Sequence, residues 1–190
     1  NQVRLRSEAE GRRLLDVFAL HFYPQSGEFS DDVSSAMQAR RNRSTRSLWD
    51  PNYTDESWIG DQVRLIPLMR EWVASNYPGT QLGLTEYSWG PAQADVLGIL
   101  GREGMDLATR WVIPALNSPA YRAFQMYRNF DGSNGSFGDV SVKAVVPDPD
   151  TVSVFASEDS ASGSLTVVAI NKQPGTPATL VLGVTNFAHL

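Results

Sequence analysis

The sequence has no cysteine and only two histidines among its 190 residues. Without cysteine, the chain can form neither a disulfide framework nor a thiolate zinc site. An excess of basic residues is also lacking, because the net charge is -5 and the arginines cluster only at Arg40, Arg41, Arg43 and Arg46. A nucleic-acid partner is therefore disfavoured, and this cluster is typical of a solvated helix face or loop. No apolar run approaches the length of a membrane span, so we expect no membrane partner.

Strand and helix patterns alternate in residues 1–132. Buried strands are predicted over residues 16–24, 82–90 and 105–112, with proline or glycine at or just beyond their ends. Helices are predicted to begin near residue 7, near residues 30–32, near residue 63, at residue 92 and at residue 119. This alternation predicts an α/β part with a parallel sheet.

The pattern changes after residue 132 to short β-type runs separated by turns. These runs cover residues 140–146, 152–157, 165–171 and 179–184. Such spacing without helical segments predicts an antiparallel sandwich, so the fold class is α/β plus all-β, divided into 1–132 and 133–190. Three predicted strands are too few for a closed eight-stranded barrel, which needs about 250 residues. The α/β part is therefore an open sheet or a fragment of a barrel, and the abrupt start of the chain favours the fragment.

Glu86 stands where a buried strand opens into a loop. Leu82 and Leu84 alternate with small residues before it, and a Gly90–Pro91 turn follows the strand. In a (β/α) barrel this end of a strand belongs to the catalytic face, and glycosidases place carboxylates there beneath the sugar ring. The alternatives are a solvated surface charge or a buried glutamate paired with arginine. The apolar residues before Glu86 and the aromatic ones after it favour catalysis.

Two polar side chains end the first predicted strand. Tyr23 is able to hydrogen-bond the carboxylate or a sugar hydroxyl, and His21 is able to orient a carboxylate. The alternative for both is a partly buried ring that only satisfies its own polar tip. Both residues are kept as candidates for substrate binding.

Aromatic residues provide the other candidates for sugar binding, because an aromatic face buries the CH groups of a pyranose ring. Trp49 and Trp58 lie in a long loop over residues 46–58, and such loops without a helical period are usually functional. Tyr87 and Trp89 flank Glu86, and Trp111 ends the third strand. Trp49, Trp58 and Trp89 are equally able to serve as loop anchors. For Trp111 the alternative is ordinary core packing, and sugar stacking is favoured.

No metal or cofactor is predicted. Asp131, Asn134 and Asp139 have a loose likeness to a calcium loop, but such runs of Asp, Asn and Gly are more often plain turns. These residue types permit a structural calcium ion, but nothing else in the sequence supports one. Glycoside hydrolysis by two carboxyl groups requires no cofactor.

The sequence resembles glycoside hydrolase family 44, which comprises bacterial endoglucanases and xyloglucanases. The segments that carry the resemblance occur in order along most of the chain. They are residues Leu20–Pro24, Ser47–Tyr53, Glu56–Gly60, Tyr77–Thr80, Thr85–Tyr87, Ala94–Arg102 and Ala108–Trp111.

This resemblance implies a (β/α)8 TIM barrel with a β-sandwich beside it, and a secreted enzyme of bacterial type. It implies retaining hydrolysis of internal β-1,4 bonds in cellulose-type glucans and xyloglucan, with xylan as a further option. Glu86 would be the nucleophile at the end of the seventh strand, and Trp111 would align with a subsite tryptophan. The family's acid/base glutamate follows an asparagine, and no Asn-Glu dipeptide occurs in this sequence.

We therefore expect the acid/base upstream of residue 1, so that the chain is the C-terminal half of the barrel followed by sandwich strands. Its partners would be a β-glucan and the missing N-terminal half, and the isolated chain is expected to be inactive. Glu28, Glu56 and Glu103 are the nearest acids in the sequence, and we interpret all three as solvated loop or helix-end charges. Two alternatives stay open: a non-catalytic carbohydrate-binding protein using the aromatic loop and the sandwich, and an accessory module in which Glu86 is salt-bridged.

Overall fold

The computed structural model describes residues 2–186, and in this range the strands form two sheets of three strands each. The α/β part consists of α1 (Gln2–Glu10), β1 (Val17–Phe22), α2 (Ser35–Arg43), a 3-10 turn (Ser44–Leu48), α3 (Leu65–Asn76), β2 (Gln81–Tyr87), α4 (Gln93–Arg102), β3 (Leu107–Arg110) and α5 (Pro119–Arg128). The remaining strands are β4 (Val140–Val142), β5 (Val152–Glu158) and β6 (Leu165–Asn171). No helix in this range is long and apolar enough to cross a membrane.

The first sheet is parallel, with strand order β1-β2-β3. Leu82 and Leu84 of β2 lie in the hydrophobic core together with apolar residues of α3 and α4. On the other face of this sheet, Ala19 and His21 of β1 are exposed. Helices thus cover one face, whereas the other carries solvent-exposed side chains.

The second sheet is antiparallel, with strand order β4-β5-β6. Phe155 of β5 joins the same core cluster as the first sheet, because Gly98 of α4 leaves room for its ring. The predicted division at residue 132 therefore marks a change of secondary structure across one shared core. A domain boundary at that point stays a prediction.

A buried ion pair also connects the two parts. Lys172 Nζ, just after β6, lies 2.7 Å from Asp95 Oδ2 of α4, and both side chains are almost fully buried. Thr45 Oγ1 donates to the same carboxylate oxygen at 2.6 Å. Removal of one partner would leave an uncompensated buried charge, so this pair fixes where the end of β6 sits on α4.

The predicted order of strands and helices is confirmed through β6, with local differences. Ser7 was expected to begin a helix, but it lies inside α1, where its hydroxyl contacts that of Tyr77. The cap of α2 is Ser34 rather than a residue in the range 30–32. Residues 179–184 form no strand, and most of the run 140–146 is irregular because only 140–142 pair with β5.

Gly98 offers a test of the shared core. An alanine Cβ at this position would lie 2.2 Å from Phe155 Cδ2, so Gly98→Ala should destabilise the protein by about 1–3 kcal/mol through overpacking. Gly101 lies on the same helix with open space around it, so Gly101→Ala should stabilise by up to about 1 kcal/mol through helix propensity. Urea unfolding measures both, and equal effects of the two substitutions would contradict the packing of β5 on α4.

Candidate active site

Three parallel strands place their carboxyl ends at one edge of the first sheet. The register pairs His21 of β1 with Glu86 of β2, and Tyr87 of β2 with Arg110 of β3. Tyr23 follows β1 directly, and Trp111 follows β3. Four of the candidates, His21, Tyr23, Glu86 and Trp111, therefore lie at this edge although they come from separate stretches of sequence.

The Glu86 carboxylate is held by two side chains from β1 and its end. The Tyr23 hydroxyl donates to Glu86 Oε2 at 3.0 Å, and His21 Nδ1 lies 3.3 Å from the same oxygen. The Glu86 side chain is 33% exposed, so the carboxylate is reachable from solvent while one oxygen is fixed. This arrangement presents an oriented carboxylate on the sheet face opposite the helices.

The pKa of Tyr23 lies above its ordinary value. Burial of the hydroxyl contributes most, followed by the hydrogen bond to Glu86 and the negative charge of that carboxylate. Tyr23 therefore stays protonated through neutral pH and remains a hydrogen-bond donor to the carboxylate.

A β-bulge in β2 changes which face its side chains occupy. Leu84 and Tyr87 both lie in the core, although a spacing of three residues in a regular strand puts side chains on opposite faces. The pairing of β2 with β1 and the pairing of β2 with β3 both shift between Leu84 and Tyr87. The extra residue lets Tyr87 return to the core while Glu86 contacts Tyr23 and His21 on the other face.

The burial of Tyr87 and Trp89 contradicts the prediction that they bind sugar directly. Their exposed fractions are 1% and 2%, and both rings belong to the hydrophobic core. Trp89 Nε1 donates to Ser44 Oγ at 3.0 Å, and the Tyr87 hydroxyl accepts from Gln93 Nε2 at 3.3 Å. A ring enclosed in this way has no face available to a pyranose, so both residues support the end of β2 from within.

The other three tryptophans predicted to bind sugar differ in accessibility. Trp58 is 82% exposed and Trp111 is 57% exposed, so both rings can meet a ligand. Trp49 packs against the core, and the Arg102 guanidinium lies 4.3 Å from its ring centroid. Trp49 is therefore a loop anchor in this structure, which was one of its two interpretations.

The segment that carries Trp111 is held by residues that the sequence analysis did not single out. Arg110 Nε donates to Gln93 Oε1 at 3.2 Å, and Arg110 Nη2 donates to Ser88 Oγ at 3.3 Å. Another guanidinium nitrogen donates to the Val112 carbonyl, and the Trp111 amide donates to the Tyr87 carbonyl at 2.9 Å. An arginine at the end of an apolar strand, next to a tryptophan, was the available signal.

The three acids considered as partners of Glu86 have structural contacts of their own. Glu28 is buried and accepts the Ser26 amide at 2.5 Å, so its interpretation as a solvated charge was wrong. Glu56 accepts two hydrogen bonds from Arg43 at 2.9 Å, which lower its pKa. Glu103 Oε1 lies 2.9 Å from Arg102 Nε. Within residues 2–186, the hydrogen bonds and ion pairs of Glu86 involve no second carboxyl group.

The residues with a likeness to a calcium loop form turns. Asp131 Oδ1 accepts the Ser133 and Gly135 amides at 2.8 and 2.9 Å, and these bonds lower the pKa of Asp131. Asp139 instead bonds to Ser160. In the part of the chain that the structure describes, no group of three or more His, Asp or Glu side chains could hold a metal ion.

No family model matches the sequence. The chain is similar to the crystal structure of CelM2, a bifunctional glucanase-xylanase from a metagenome library, with 57% identity and a TM-score of 0.87 over 90% of this chain and 34% of that one. It is also similar to a Paenibacillus polymyxa xyloglucanase from glycoside hydrolase family 44, solved with xyloglucan, with 38% identity and a TM-score of 0.80 over 90% of this chain and 37% of that one. Endoglucanase A of Paenibacillus lautus is 35% identical over 90% of this chain, which spans 27% of that protein.

The contact between Glu86 and Tyr23 can be measured by titration. Glu86→Gln removes the negative charge beside the phenol, so the pKa of Tyr23 should fall towards its ordinary value. Tyrosine absorbance at alkaline pH reports the change, and Tyr23→Phe identifies the transition that belongs to this residue. An unchanged Tyr23 transition in Glu86→Gln would contradict the contact.

Proposed function

We propose that this chain, which matches the C-terminal part of the glycoside hydrolase family 44 module, carries half of the active site of a retaining endo-β-1,4-glucanase. The observation that carries the proposal is the Glu86 carboxylate at a parallel strand end, held by Tyr23 and His21. In a barrel this edge is the catalytic face, and the geometry suits a nucleophile that must be oriented and still reachable.

The proposed architecture is the C-terminal half of a (β/α)8 barrel, followed by strands of a β-sandwich. It is supported by the parallel sheet with helices on one face, and by exposed residues on the face that a closed barrel would enclose. The chain spans about a third of the solved structures it resembles, at 34% and 37% of their lengths. The remaining barrel strands would then come from outside residues 1–190.

In the proposed mechanism, Glu86 attacks the anomeric carbon and forms a bond to it as the glycosidic C–O bond breaks. A second carboxyl group about 5–5.5 Å away protonates the leaving oxygen, and later takes a proton from the water that releases the sugar. That acid/base glutamate is assigned to the missing half of the barrel. Tyr23 and His21 would hold Glu86 Oε2 and so direct the carboxylate towards the sugar ring.

The proposed substrates are β-1,4-linked glucans, including xyloglucan and, as a further option, xylan. This assignment rests on what the similar proteins are named for, namely glucanase-xylanase, xyloglucanase and endoglucanase activity. Trp111 and Trp58 present exposed rings on which pyranose units can stack. A secreted, bacterial location fits a polymer substrate that cannot enter cells, and it belongs to the same proposal.

Glu86→Gln in the complete module tests the nucleophile. The amide keeps the shape of the side chain but is too weak a nucleophile, so kcat should fall by about 10⁴-fold while glucan binding stays nearly unchanged. Glu71→Gln is the matched control, because Glu71 is an exposed residue of α3 paired with Arg64. Turnover and glucan binding of both variants are measured with xyloglucan.

The two functional classes give different results in this experiment. If Glu86→Gln keeps most of the activity, the nucleophile assignment is wrong. If the complete module binds glucan but hydrolyses none even before substitution, it is a carbohydrate-binding protein that uses the same exposed rings.

The isolated chain is expected to lack turnover and to aggregate. β1 and β3 are edge strands of the parallel sheet in the described range, and the segment after β3 exposes Trp111 and Ile113. Light scattering and xyloglucan hydrolysis by the 190-residue chain test this, with the complete module as control. A stable, soluble monomer of the 190-residue chain would count against the half-barrel proposal.

A further inference from the structure

We propose that Thr109 is a positioning residue for Glu86, acting through the bulge at Thr85. This inference rests on the proposed function, because it assigns the orientation of the proposed nucleophile, Glu86, to a residue that does not contact Glu86. The geometry consists of the extra residue in β2 and of a side-chain hydrogen bond that holds its backbone.

The register of β2 with β3 defines the bulge. Leu84 pairs with Ala108 and Tyr87 pairs with Arg110, so two residues of β2 lie opposite the single residue Thr109. The register with β1 agrees, because Leu20 pairs with Leu84 and the next residue, His21, pairs with Glu86. Thr85 is therefore the additional residue as seen from β1.

Without the additional residue, Glu86 would face the helices. Leu82 and Leu84 lie in the core, and strict alternation would put the next even-numbered side chain there as well. A carboxylate among these apolar residues would be costly to bury. The bulge reverses the alternation, so Tyr87 takes the core position and Glu86 reaches Tyr23.

Thr109 stabilises the bulged backbone. A bulge takes one residue's backbone groups out of the regular ladder of hydrogen bonds. In this structure the Thr85 carbonyl accepts a hydrogen bond from the Thr109 hydroxyl. Thr109, the one residue opposite the bulge, thus provides the donor. A β-branched residue without a hydroxyl would fit the strand equally well but could not donate this hydrogen bond.

Two substitutions of Thr109 distinguish the effect of its hydroxyl from the effect of its side-chain shape. Thr109→Val keeps the branched shape and removes the donor, whereas Thr109→Ser keeps the donor. Because a displacement of about 1 Å can cost about 100-fold in rate, kcat of Thr109→Val should fall by roughly 10- to 100-fold at nearly constant KM. Thr109→Ser should recover most of the loss. Thr166→Val in β6 is the control for the same chemical change in a strand of the other sheet.

A second measurement does not depend on catalysis. If Thr109→Val turns Glu86 away from Tyr23, the pKa of Tyr23 should fall towards its ordinary value, as in Glu86→Gln. Thr109→Ala provides the same comparison with a smaller side chain should the valine disturb folding. Urea unfolding of every variant in the complete module shows whether a loss of rate merely follows a loss of stability.

The outcomes distinguish this inference from the proposed function. An active Glu86→Gln variant overturns the nucleophile assignment, whatever Thr109 does. An inactive Glu86→Gln variant together with a fully active Thr109→Val variant overturns only the positioning role. A loss of kcat that follows a lower unfolding midpoint, with the Tyr23 pKa unchanged, also overturns it, because Thr109 would then be structural.

Discussion

The parallel pairing of β1 with β2 is the constraint on which the candidate site depends. It places His21 beside Glu86 and leaves Tyr23, directly after β1, within hydrogen-bond distance of the same carboxylate oxygen. The carboxyl ends of parallel strands lie at one edge of the sheet. Strand pairing alone therefore brings together residues that are more than sixty positions apart in sequence. What pairing alone does not determine is the face on which Glu86 emerges, and the bulge in β2 decides that.

The second sheet contributes to this edge through α4. Phe155 packs against Gly98, and Lys172 pairs with Asp95, so the antiparallel strands hold one side of that helix. At its first residue, α4 carries Gln93, which donates to the Tyr87 hydroxyl and accepts from Arg110. A continuous series of packed and hydrogen-bonded groups therefore runs from β6 to the ends of β2 and β3. The antiparallel sheet supports the candidate active site without lining it.

The strands and the Glu86 constellation could be predicted from sequence, because apolar alternation and strand-end residues are local signals. The burial of Tyr87 and Trp89 could not be predicted from their nearness to Glu86, since one extra residue turns neighbours to opposite faces. The spacing of three residues from Leu84 to Tyr87, with a further apolar position at Trp89, was the overlooked signal of a bulge. Glu28 was misjudged because its burial depends on a fold of the loop that no periodic pattern reports. Residues 179–184 have a β-type composition but form no strand, because a strand also needs a neighbouring strand with which to pair.

The contacts of the Glu86 carboxylate differ from those of the structural glutamates Glu56 and Glu28. Glu56 is paired with Arg43, and the buried Glu28 accepts a hydrogen bond from the Ser26 amide. Glu86 instead contacts a tyrosine and a histidine on a face that helices do not cover. Among the described residues, neither of these contacts comes from an arginine. In the proposed retaining hydrolysis, positive charge would develop at the anomeric carbon, and the second carboxyl group would approach from the uncovered side of the sheet.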